Sequence, residues 1–576
     1  MIKDIINSFI ILDHKDRLIY LALLTGITFG ALMEVISIYL IYKLIMVVKD
    51  NSFLSDESIK VIDISFLELE MYLSFSNFII LIISIFTFKF IYFLTLYYGK
   101  YSFVNHTRVK ISSLMLKSYL KKKFKFYNKK NSSVLIRNIE SEVGQYTLGV
   151  LTPLLVLFSE VIMFSGILLF LLVTNPSIII SCFFLLFFIS QVYFLYIKKI
   201  LVFHGKQRQE NTSKALNSLM ETFQGLRVLK IFNAENFFYL KFLKYSKKLA
   251  RSNVVIGSLS HVPKFGLEFF VVIIICTYLI ILSSNNTNNT NQFTFETLAL
   301  FAISAFKLIP SISRIVFSLQ NVRFNKVSAN IILSERHNLY KQENLNKNLK
   351  PFHFRNRIEF KDVEFRYPLS KQKIFNKTNF VIQRGSSIGI VGDSGVGKST
   401  LINLIMGFIS PTKGEILIDG INLNKIKYQW MKIIGYVPQK LFLINENINK
   451  NIAFGKEEHE INLKRVDQSI NLSEMKNQKN NARDLFRRNL GEEGTQISGG
   501  QMQRISIARS IYKDPDIYIF DEATNSLDKN TEKRILKTIK KITKNKTLLI
   551  ISHKKETLKF CDTILSITNN TLKKIK

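Results

Sequence analysis

The segment SIGIVGDSGVGKST, residues 387–400, decides the fold of the C-terminal part of this 576-residue chain. An Ile-rich strand runs directly into Gly392-x4-Gly397-Lys398-Ser399, the P-loop pattern, whose glycines let successive backbone amides face a triphosphate. Lys398 is expected to reach the β and γ phosphates, and the Ser399 hydroxyl to hold Mg²⁺. The residues predicted to contact the nucleotide in this segment are Gly392, Ser394, Gly395, Gly397, Lys398, Ser399 and Thr400.

Two acidic residues follow a second apolar strand farther along the chain. The stretch IYIF is typical of a buried strand, and Asp521 and Glu522 come directly after it. Downstream of a P-loop, such a pair is expected to serve hydrolysis: Asp521 holds Mg²⁺ through water, and Glu522 polarises the attacking water. Without the P-loop, the same pair would be an ordinary polar end of a strand.

A second candidate anion site lies between these two motifs. Ile497 is followed by Ser498-Gly499-Gly500-Gln501 and then by a helical pattern. A Gly-Gly turn that enters a helix after a serine presents free backbone amides to an anion. Because the domain already has its own P-loop, the simplest use of this turn is to close on a nucleotide held by another subunit.

Short Ile-rich runs recur through the C-terminal part of the chain. SIGIVG, IIGYVP, DIYIFDE and TLLIISH are bounded by polar residues, as buried parallel strands are, and helical patterns lie between them. The sequence therefore predicts an α/β P-loop domain over residues 358–576.

The N-terminal half has the composition of a membrane protein. Hydrophobic residues make up 47% of the chain and aromatic residues 12%. Apolar stretches of about 20 residues, long enough to span a bilayer, recur before residue 320. We predict a transmembrane domain over residues 1–320 and a linker, where the hydropathy drops, over residues 321–357. The predicted helices lie near residues 18–47, 78–99, 147–173, 177–200, 261–283 and 295–318.

Positive charge is concentrated between the predicted spans. The formal net charge is +36, and residues 100–146 and 199–260 are rich in Lys and Arg. The positive-inside rule makes both of these loops, and both termini, cytoplasmic. Charge on a cytoplasmic membrane face disfavours nucleic acid as a partner. Cys182, Cys276 and Cys561 lack the paired spacing of a disulfide framework or metal site. Abundant Lys, Asn, Ile and Phe favour a bacterial source, and hence the bacterial inner membrane.

The order of these motifs resembles the ABC ATPases over the whole predicted α/β domain. The resemblance implies that Tyr367 stacks on adenine, with a buried core tyrosine as the alternative, and that Gln439 in YVPQ senses the γ phosphate and Mg²⁺. It implies that His553 contacts the γ phosphate, that Asn525–Asp528 crosses a dimer interface, and that Gly491–Gly494 faces the membrane domain. The implied catalytic residues are Glu522, His553 and Gln439, the implied Mg²⁺ ligands are Ser399, Gln439 and Asp521, and the implied cofactors are ATP and Mg²⁺.

A single nucleotide domain implies that two chains pair. Each ATP would lie between one P-loop and Ser498–Gln501 of the other chain, and a homodimer keeps both sites intact, while a heterodimer stays open. A six-helix α-helical transmembrane domain fused to an α/β ABC ATPase domain resembles an ABC exporter half-transporter. Glu221-x3-Gly225-x4-Lys230-x-Phe232 resembles the exporter pattern beside the coupling helix, although it also fits an ordinary amphipathic helix.

Lysines occur inside the predicted membrane helices. Lys307 lies within ALFAISAFKLIPSISRIVF, residues 299–317, on a polar stripe with Arg314. Lys89 lies midway along the second predicted helix, and Lys264 lies at the inner end of the fifth. A lysine at a helix centre costs roughly 2.5 to 3.5 kcal/mol on insertion scales, so it requires either a partner or a function. Glu34 and Glu160 are the candidate partners of Lys89 and Lys307 inside the bundle, whereas Lys264 can pair with Glu268 or snorkel.

The functional alternative is a cationic cavity, lined by Lys89, Lys264 and Lys307, that accepts an anionic headgroup. KFIYFLTLYY (89–98), HVPKFGLEF (261–269) and FKLIPSISRI (306–315) resemble bacterial flippases of lipid-linked oligosaccharides. The resemblance implies a polyprenyl-pyrophosphate cargo and an external helix within residues 50–75. The alternatives are another cargo (lipid A, another lipid, a peptide or a drug) and a nucleotide-gated channel or regulator that does not pump.

Overall fold

The apolar stretches of the N-terminal half form long helices in the computed structural model of the chain. The structure describes residues 9–49, 59–64, 69–122, 124–127, 130–174, 176–284, 295–342, 351–367, 370, 372–475, 489–491, 494–568 and 570–575. The chain divides into two units, Met1–Lys122 with Tyr127–Leu345, and Lys123–Phe126 with Asn346–Lys576.

In the part of the chain that the structure describes, the first unit is helical apart from one pair of strands. Its helices are α1 (His14–Lys49), α2 (Phe75–Leu120), α4 (Ser132–Arg137), α5 (Val143–Tyr146), α6 (Thr152–Thr174), α7 (Pro176–Gln224), α8 (Leu226–Ile231), α9 (Glu235–Ser284), α10 (Phe295–Phe324) and α11 (Lys326–Gln342). The short helix α3 (Phe124–Tyr127) belongs to the second unit except for Tyr127. Two single π-helical turns, Asn138–Glu142 and Thr147–Leu151, join α4, α5 and α6.

Within the described residues, three helical stretches are long and apolar enough to cross a membrane: His14–Ile45, Phe75–Leu120 and Ser132–Leu169. They overlap the first three predicted spans, with different bounds. Helices α7, α9 and α10 cover the positions of the other three, and the count of six spans stays a prediction. Helices α7 and α9 have 49 and 50 residues and pack along each other. At 1.5 Å per residue each is about 75 Å long, so its polar half extends well beyond a hydrocarbon layer of about 30 Å.

The external helix expected within residues 50–75 is wrong for the part of this segment that the structure describes. Strands β1 (Ile59–Ile64) and β2 (Leu69–Leu73) pair there in antiparallel fashion, with Ile59 opposite Leu73 and Ile64 opposite Leu69. LEMYL alternates apolar and polar residues, and IKVIDI does so apart from the adjacent Val61 and Ile62, where the pairing shifts register. This alternation favours strands over a helix.

Part of the segment predicted as a linker is helical and belongs to the first unit. Helix α11 packs against α2, α5 and α7. Its Ser328 is buried and donates to Glu142, with 2.5 Å between the two oxygens. The Glu142 carboxylate is fully buried and also pairs with Arg208 at 3.2 Å and with Arg137 at 3.5 Å. This buried carboxylate joins three helical segments through hydrogen bonds from Ser328 and Arg208 and an ion pair with Arg137.

The junction between α10 and α11 is held by close backbone packing. A methyl group added at Gly205 on α7 would fall inside the contact distance of the Phe324 carbonyl oxygen. The Asn325 side chain lies against Gly149, where an added Cβ would also clash, and donates to the Gly149 carbonyl at 3.5 Å. The absence of a Cβ at these two glycines therefore sets how closely the junction approaches α7 and the second π-helical turn.

The second unit is an α/β domain with two sheets. Its strands are β3 (Arg357–Phe365), β4 (Phe375–Gln383), β5 (Ser387–Val391), β6 (Lys413–Ile418), β7 (Ile421–Asn422), β8 (Ile434–Val437), β9 (Ile517–Asp521), β10 (Thr547–Ile551), β11 (Thr563–Thr568) and β12 (Thr571–Lys574). Its helices after α3 are α12 (Lys398–Ile405), α13 (Leu423–Lys432), α14 (Ile448–Ile452), α15 (Leu463–Leu472), α16 (Gly499–Lys513), α17 (Lys529–Ile542) and α18 (Lys555–Leu558).

The six-stranded sheet has the order β12-β11-β5-β10-β9-β8, and all its neighbouring strands are parallel except β12. Strands β9 and β10 are buried along their whole length, as the continuous apolar runs IYIF and TLLII predict. A second, antiparallel sheet has the order β4-β3-β6-β7. Between the sheets, Trp430 is fully buried, and its indole N–H donates to the Ile405 carbonyl at 2.7 Å.

Candidate functional site

The parallel register of the central sheet brings three separate motifs to one edge. In β10, Ile551 is aligned with Ile390 of β5 on one side and with Asp521 of β9 on the other. The chain segments that leave the carboxyl ends of these strands are therefore neighbours: the P-loop after β5, Glu522 after β9, and His553 after β10. Open α/β sheets bind ligands at this edge.

The P-loop curls tightly between β5 and α12. Gly397 caps α12 with a φ of +113°, in the left-handed region, and a Cβ there would lie 2.5 Å from Ile374 Cγ2. No other residue type fits this place without strain. The Lys398 ammonium donates to the carbonyls of Gly392 at 2.7 Å and Asp393 at 3.0 Å, so a positive charge lies over the loop. A glycine cradle with this charge and a helix N-terminus fits a triphosphate.

Asp521 ends strand β9 in a largely buried position. Its carboxylate accepts a hydrogen bond from the Tyr436 hydroxyl at 3.4 Å. Burial, and then the charge of Glu522, raise the pKa of Asp521, while the Tyr436 hydrogen bond and Lys398 lower it. Two adjacent carboxylates, Asp521 and Glu522, favour a divalent cation, and the Ser399 hydroxyl of the P-loop adds an oxygen ligand of the kind that Mg²⁺ prefers. This donor set fits Mg²⁺.

The residues predicted to be catalytic converge on the Glu522 carboxylate. Gln439 donates to Glu522 Oε2 at 2.9 Å, and His553 Nε2 lies 3.5 Å from Glu522 Oε1. The side-chain amide of Asn525 donates to the same Oε2 at 2.8 Å. The sequence predicts Asn525 only as part of an intersubunit loop, although its spacing of three residues from Glu522 is a signal for this contact. Glu522 itself has a φ of +52°, rare for a residue with a side chain.

Tyr367 borders the same region. Its hydroxyl lies 3.2 Å from the Thr400 hydroxyl, and its ring meets Phe365 edge-to-face at 5.1 Å. The side chain is 37% exposed, which does not fit the alternative of a buried core tyrosine. The partly exposed Tyr367 thus lies beside α12, the helix that follows the P-loop.

The second candidate anion site has the expected form. Ser498 caps α16 by accepting from the Gln501 amide at 3.3 Å, and Gln501 Oε1 accepts from the Ser498 amide at 2.8 Å. Ser498 and Gly499 are exposed, and Gly500 is partly so. The turn also lies against the loop after Glu522, because a Cβ at Gly500 would be 3.2 Å from the Ser526 carbonyl oxygen.

The lysines predicted to contact cargo have different surroundings in the first unit. Lys89 pairs with Glu34 and donates to the Ser37 hydroxyl at 3.3 Å, which is the ion pair considered from the sequence. Lys264 is exposed and lies over the Phe265 ring at 5.7 Å. Lys307 lies on α10, and its side chain is outside the described residues.

Glu160, the other acid considered as a partner for the membrane lysines, pairs with an arginine instead. It receives two hydrogen bonds from Arg314, at 2.6 and 3.1 Å. This bidentate geometry fixes the guanidinium on α10 against α6. Three segments lie outside the described residues: the connection between the fifth and sixth predicted helices (285–294), part of the predicted linker (343–350) and the centre of Gly491–Gly494 (492–493).

A P-loop nucleotide site and a bundle of long apolar helices define an ATP-binding membrane protein, and sequence comparison gives its family. Residues 375–525 match the family "ABC transporter", and residues 19–306, half of the chain, match "ABC transporter transmembrane region". The chain belongs to the ABC transporter family.

Individual relatives agree with this assignment. The ATP-dependent lipid A-core flippase of Burkholderia orbicola (strain AU 1054) is 28% identical over 366 residues, 63% of this chain and 60% of that protein. Alpha-hemolysin translocation ATP-binding protein HlyB of Escherichia coli O157:H7 is 40% identical over 216 residues, 37% of this chain and 30% of that protein. ABC transporter B family member 6 of Dictyostelium discoideum is 39% identical over 220 residues, 36% of this chain and 32% of that protein. The chain thus spans less than two thirds of the length of each of these relatives.

A solved structure shows the same fold. The bacterial Atm1-family ABC exporter with ATP bound superposes with a TM-score of 0.79 over 96% of this chain and 94% of its own, at 19% identity. The chain therefore has the fold of an ABC exporter, with a helical membrane unit fused to an ABC ATPase unit.

Proposed function

We propose that this chain is one half of an ATP-driven exporter that hydrolyses MgATP. The observation that carries this proposal is the convergence of Gln439, His553 and Asn525 on the Glu522 carboxylate beside the P-loop. In the proposed reaction, Glu522 orients and polarises the attacking water, while Lys398 and His553 face the γ phosphate. Ser399, Gln439 and Asp521 would hold Mg²⁺, which neutralises the charge that develops on the phosphates.

The proposed active form is a homodimer. Ser498 and Gly499 are exposed at the start of α16, so they are available to a nucleotide on another chain. Two copies would form two equivalent composite sites, each with one P-loop and one Ser498–Gln501 turn. ATP binding would draw the ATPase units together, and hydrolysis would release them. Tyr367 would stack on the adenine in each site.

The proposed cargo is an anionic amphiphile, of which a polyprenyl-pyrophosphate-linked oligosaccharide is the specific candidate. Support comes from the cationic positions on α2, α9 and α10 and from the similarity to a protein named as a lipid A-core flippase. Lys264 is exposed and Arg314 keeps about half of its side chain accessible, so both can meet an anion. Lys89 would meet the cargo only by exchanging its Glu34 partner for the headgroup. The proposed location is the bacterial inner membrane, with the ATPase unit and both termini in the cytoplasm.

Flipping of a fluorescent lipid-pyrophosphate glycan in proteoliposomes tests this proposal. The triple variant Lys89→Gln, Lys264→Gln, Lys307→Gln should lose flipping while it retains basal ATP hydrolysis. Lys248→Gln, an exposed lysine on the same helix as Lys264, is the matched control and should flip normally. Normal flipping by the triple variant would refute the hypothesis that a cationic cavity binds the cargo. Transport of a lipid A analogue but not of the glycan by the unmodified protein would assign the alternative cargo.

A further inference from the structure

Gln503 on α16 is a buried polar residue that the proposed reaction does not use. Its side chain is only 4% exposed, yet both of its polar atoms are hydrogen-bonded. The Nε2 atom donates to the Glu522 carbonyl at 3.3 Å, and the Oε1 atom accepts from the Ser526 amide at 2.9 Å. One amide group thus spans the two ends of the turn that follows strand β9.

The turn that Gln503 spans contains the residue proposed to polarise water. Glu522 has a φ of +52°, a conformation that persists only where the surroundings hold it. Its backbone amide donates to the Ile551 carbonyl at 3.1 Å. Its backbone carbonyl accepts from the backbone amide of Asn525 at 3.2 Å and from the Gln503 side chain. Because φ sets the direction of the Cα–Cβ bond, the bonds to the Glu522 backbone determine where its carboxylate points.

Gln503 also connects this turn to the second anion site. It lies one helical turn after Gly499 and Gly500, on the helix that Ser498 caps. A Cβ at Gly500 would be 3.2 Å from the Ser526 carbonyl oxygen, so the start of α16 and the Ser526 backbone are in close contact. A displacement of the α16 N-terminus would therefore reach the Ser526 amide and the Glu522 carbonyl through one short side chain.

We propose that Gln503 is a positioning residue that holds the Glu522 backbone in its left-handed conformation and couples it to the N-terminus of α16. The inference rests on the proposed ATP hydrolysis and adds to it a link between the two anion sites of one chain. If the α16 N-terminus closes on the partner's nucleotide, occupation of one composite site would influence the carboxylate of the other.

Gln503→Met tests the link, because methionine has a similar length but cannot form either hydrogen bond. The full-length dimer in proteoliposomes should lose about tenfold in kcat for ATP hydrolysis, while KM for ATP changes less than about twofold, since the P-loop is untouched. The Hill coefficient for ATP should fall toward one. Ser510→Ala is the matched control, since Ser510 is buried on the same helix away from Glu522, and it should leave kcat unchanged.

Gln503→Glu supplies a readout that a purely structural role would not move. A glutamate keeps an oxygen for the Ser526 amide, but only its protonated form can donate to the Glu522 carbonyl. Burial favours the protonated form, so kcat relative to the unsubstituted protein should rise as the pH falls from about 8 to about 6. Wild-type kcat in Gln503→Met, or a flat pH ratio in Gln503→Glu, would overturn the proposal.

Hydrogen exchange separates this inference from the proposed function. The peptide containing residues 523–527 should exchange about tenfold faster in Gln503→Met than in the unsubstituted protein, because the Ser526 amide loses its acceptor. This measurement needs no ATP hydrolysis. An unsubstituted protein that binds ATP without hydrolysing it would refute the proposed function, and unchanged exchange in Gln503→Met would refute the positioning role.

Discussion

Replacement of Glu522 by glutamine isolates the charge that the proposed hydrolysis requires. Glutamine has nearly the same shape, and its amide oxygen can still accept from Gln439 or Asn525, which donate to Glu522 Oε2 at 2.9 and 2.8 Å. What is lost is the negative charge that polarises water. Loss of a general base costs about 10²- to 10⁴-fold in rate, which corresponds to about 2.7 to 5.4 kcal/mol of transition-state stabilisation.

Nucleotide binding should survive the same change. The charge of Glu522 raises the pKa of Asp521, so its removal lowers that pKa and leaves Asp521 more fully ionised for Mg²⁺. Glu522→Gln should therefore bind MgATP at least as tightly as the unsubstituted protein while its kcat falls. The ATP-bound dimer should accumulate, because the step that opens it is blocked.

The assay combines steady-state phosphate release in proteoliposomes with cross-linking of the ATPase units in the presence of MgATP. Glu556→Gln, which removes an exposed acid on α18, is the control and should behave as the unsubstituted protein. A Glu522→Gln variant with kcat within about threefold of the unsubstituted protein would refute the assigned role, since a base contributes at least about 10²-fold. Loss of MgATP binding in Glu522→Gln would refute the inference that removing this charge leaves Asp521 ionised for Mg²⁺.

Three further predictions concern packing and pH. Glu142→Ala should destabilise the first unit by about 3 to 5 kcal/mol, because it leaves Arg137 and Arg208 without their carboxylate in a buried network. The apparent melting temperature from thermal aggregation in detergent should fall accordingly. Gly205→Ala should lower transport without loss of nucleotide binding, because its methyl group displaces the α10–α11 junction. Tyr436→Phe should move the acid limb of ATP hydrolysis to higher pH: the Tyr436 hydrogen bond lowers the pKa of Asp521, so its loss raises that pKa and Asp521 is protonated earlier as the pH falls.

Each of these changes has a matched control. Glu140→Ala removes an exposed partner of Arg108 and should cost less than about 1 kcal/mol. Gly257→Ala on α9 adds a methyl group to open space and should leave transport unchanged. Tyr428→Phe alters an exposed hydroxyl and should not shift the pH profile. A control as damaging as its partner variant would show that the effect is not specific to the contact in question.

The nucleotide site could be predicted from the sequence because each of its motifs is a short contiguous segment of the chain. A glycine loop between a strand and a helix fixes the phosphate cradle locally, and three parallel strands deliver Gly392, Glu522 and His553 to one edge. The alternation in residues 69–73, and in residues 59–64 apart from the adjacent Val61 and Ile62, was also visible in the sequence. The resemblance nevertheless implied a helix within residues 50–75. The local period instead favours the antiparallel strands that are observed.

The composition and motif order of the sequence by themselves determined an ABC ATPase joined to apolar helices, because phosphate binding and bilayer spanning depend on short local patterns. Only the tertiary structure decided which charges meet. Lys89 and Glu34 are 55 residues apart, and Arg314 and Glu160 are 154 apart, so packing of separate helices selects these pairs. Packing likewise brings Gln503 within hydrogen-bonding distance of the Glu522 carbonyl. Side-chain partners across elements depend on register and helix rotation, which no local pattern encodes.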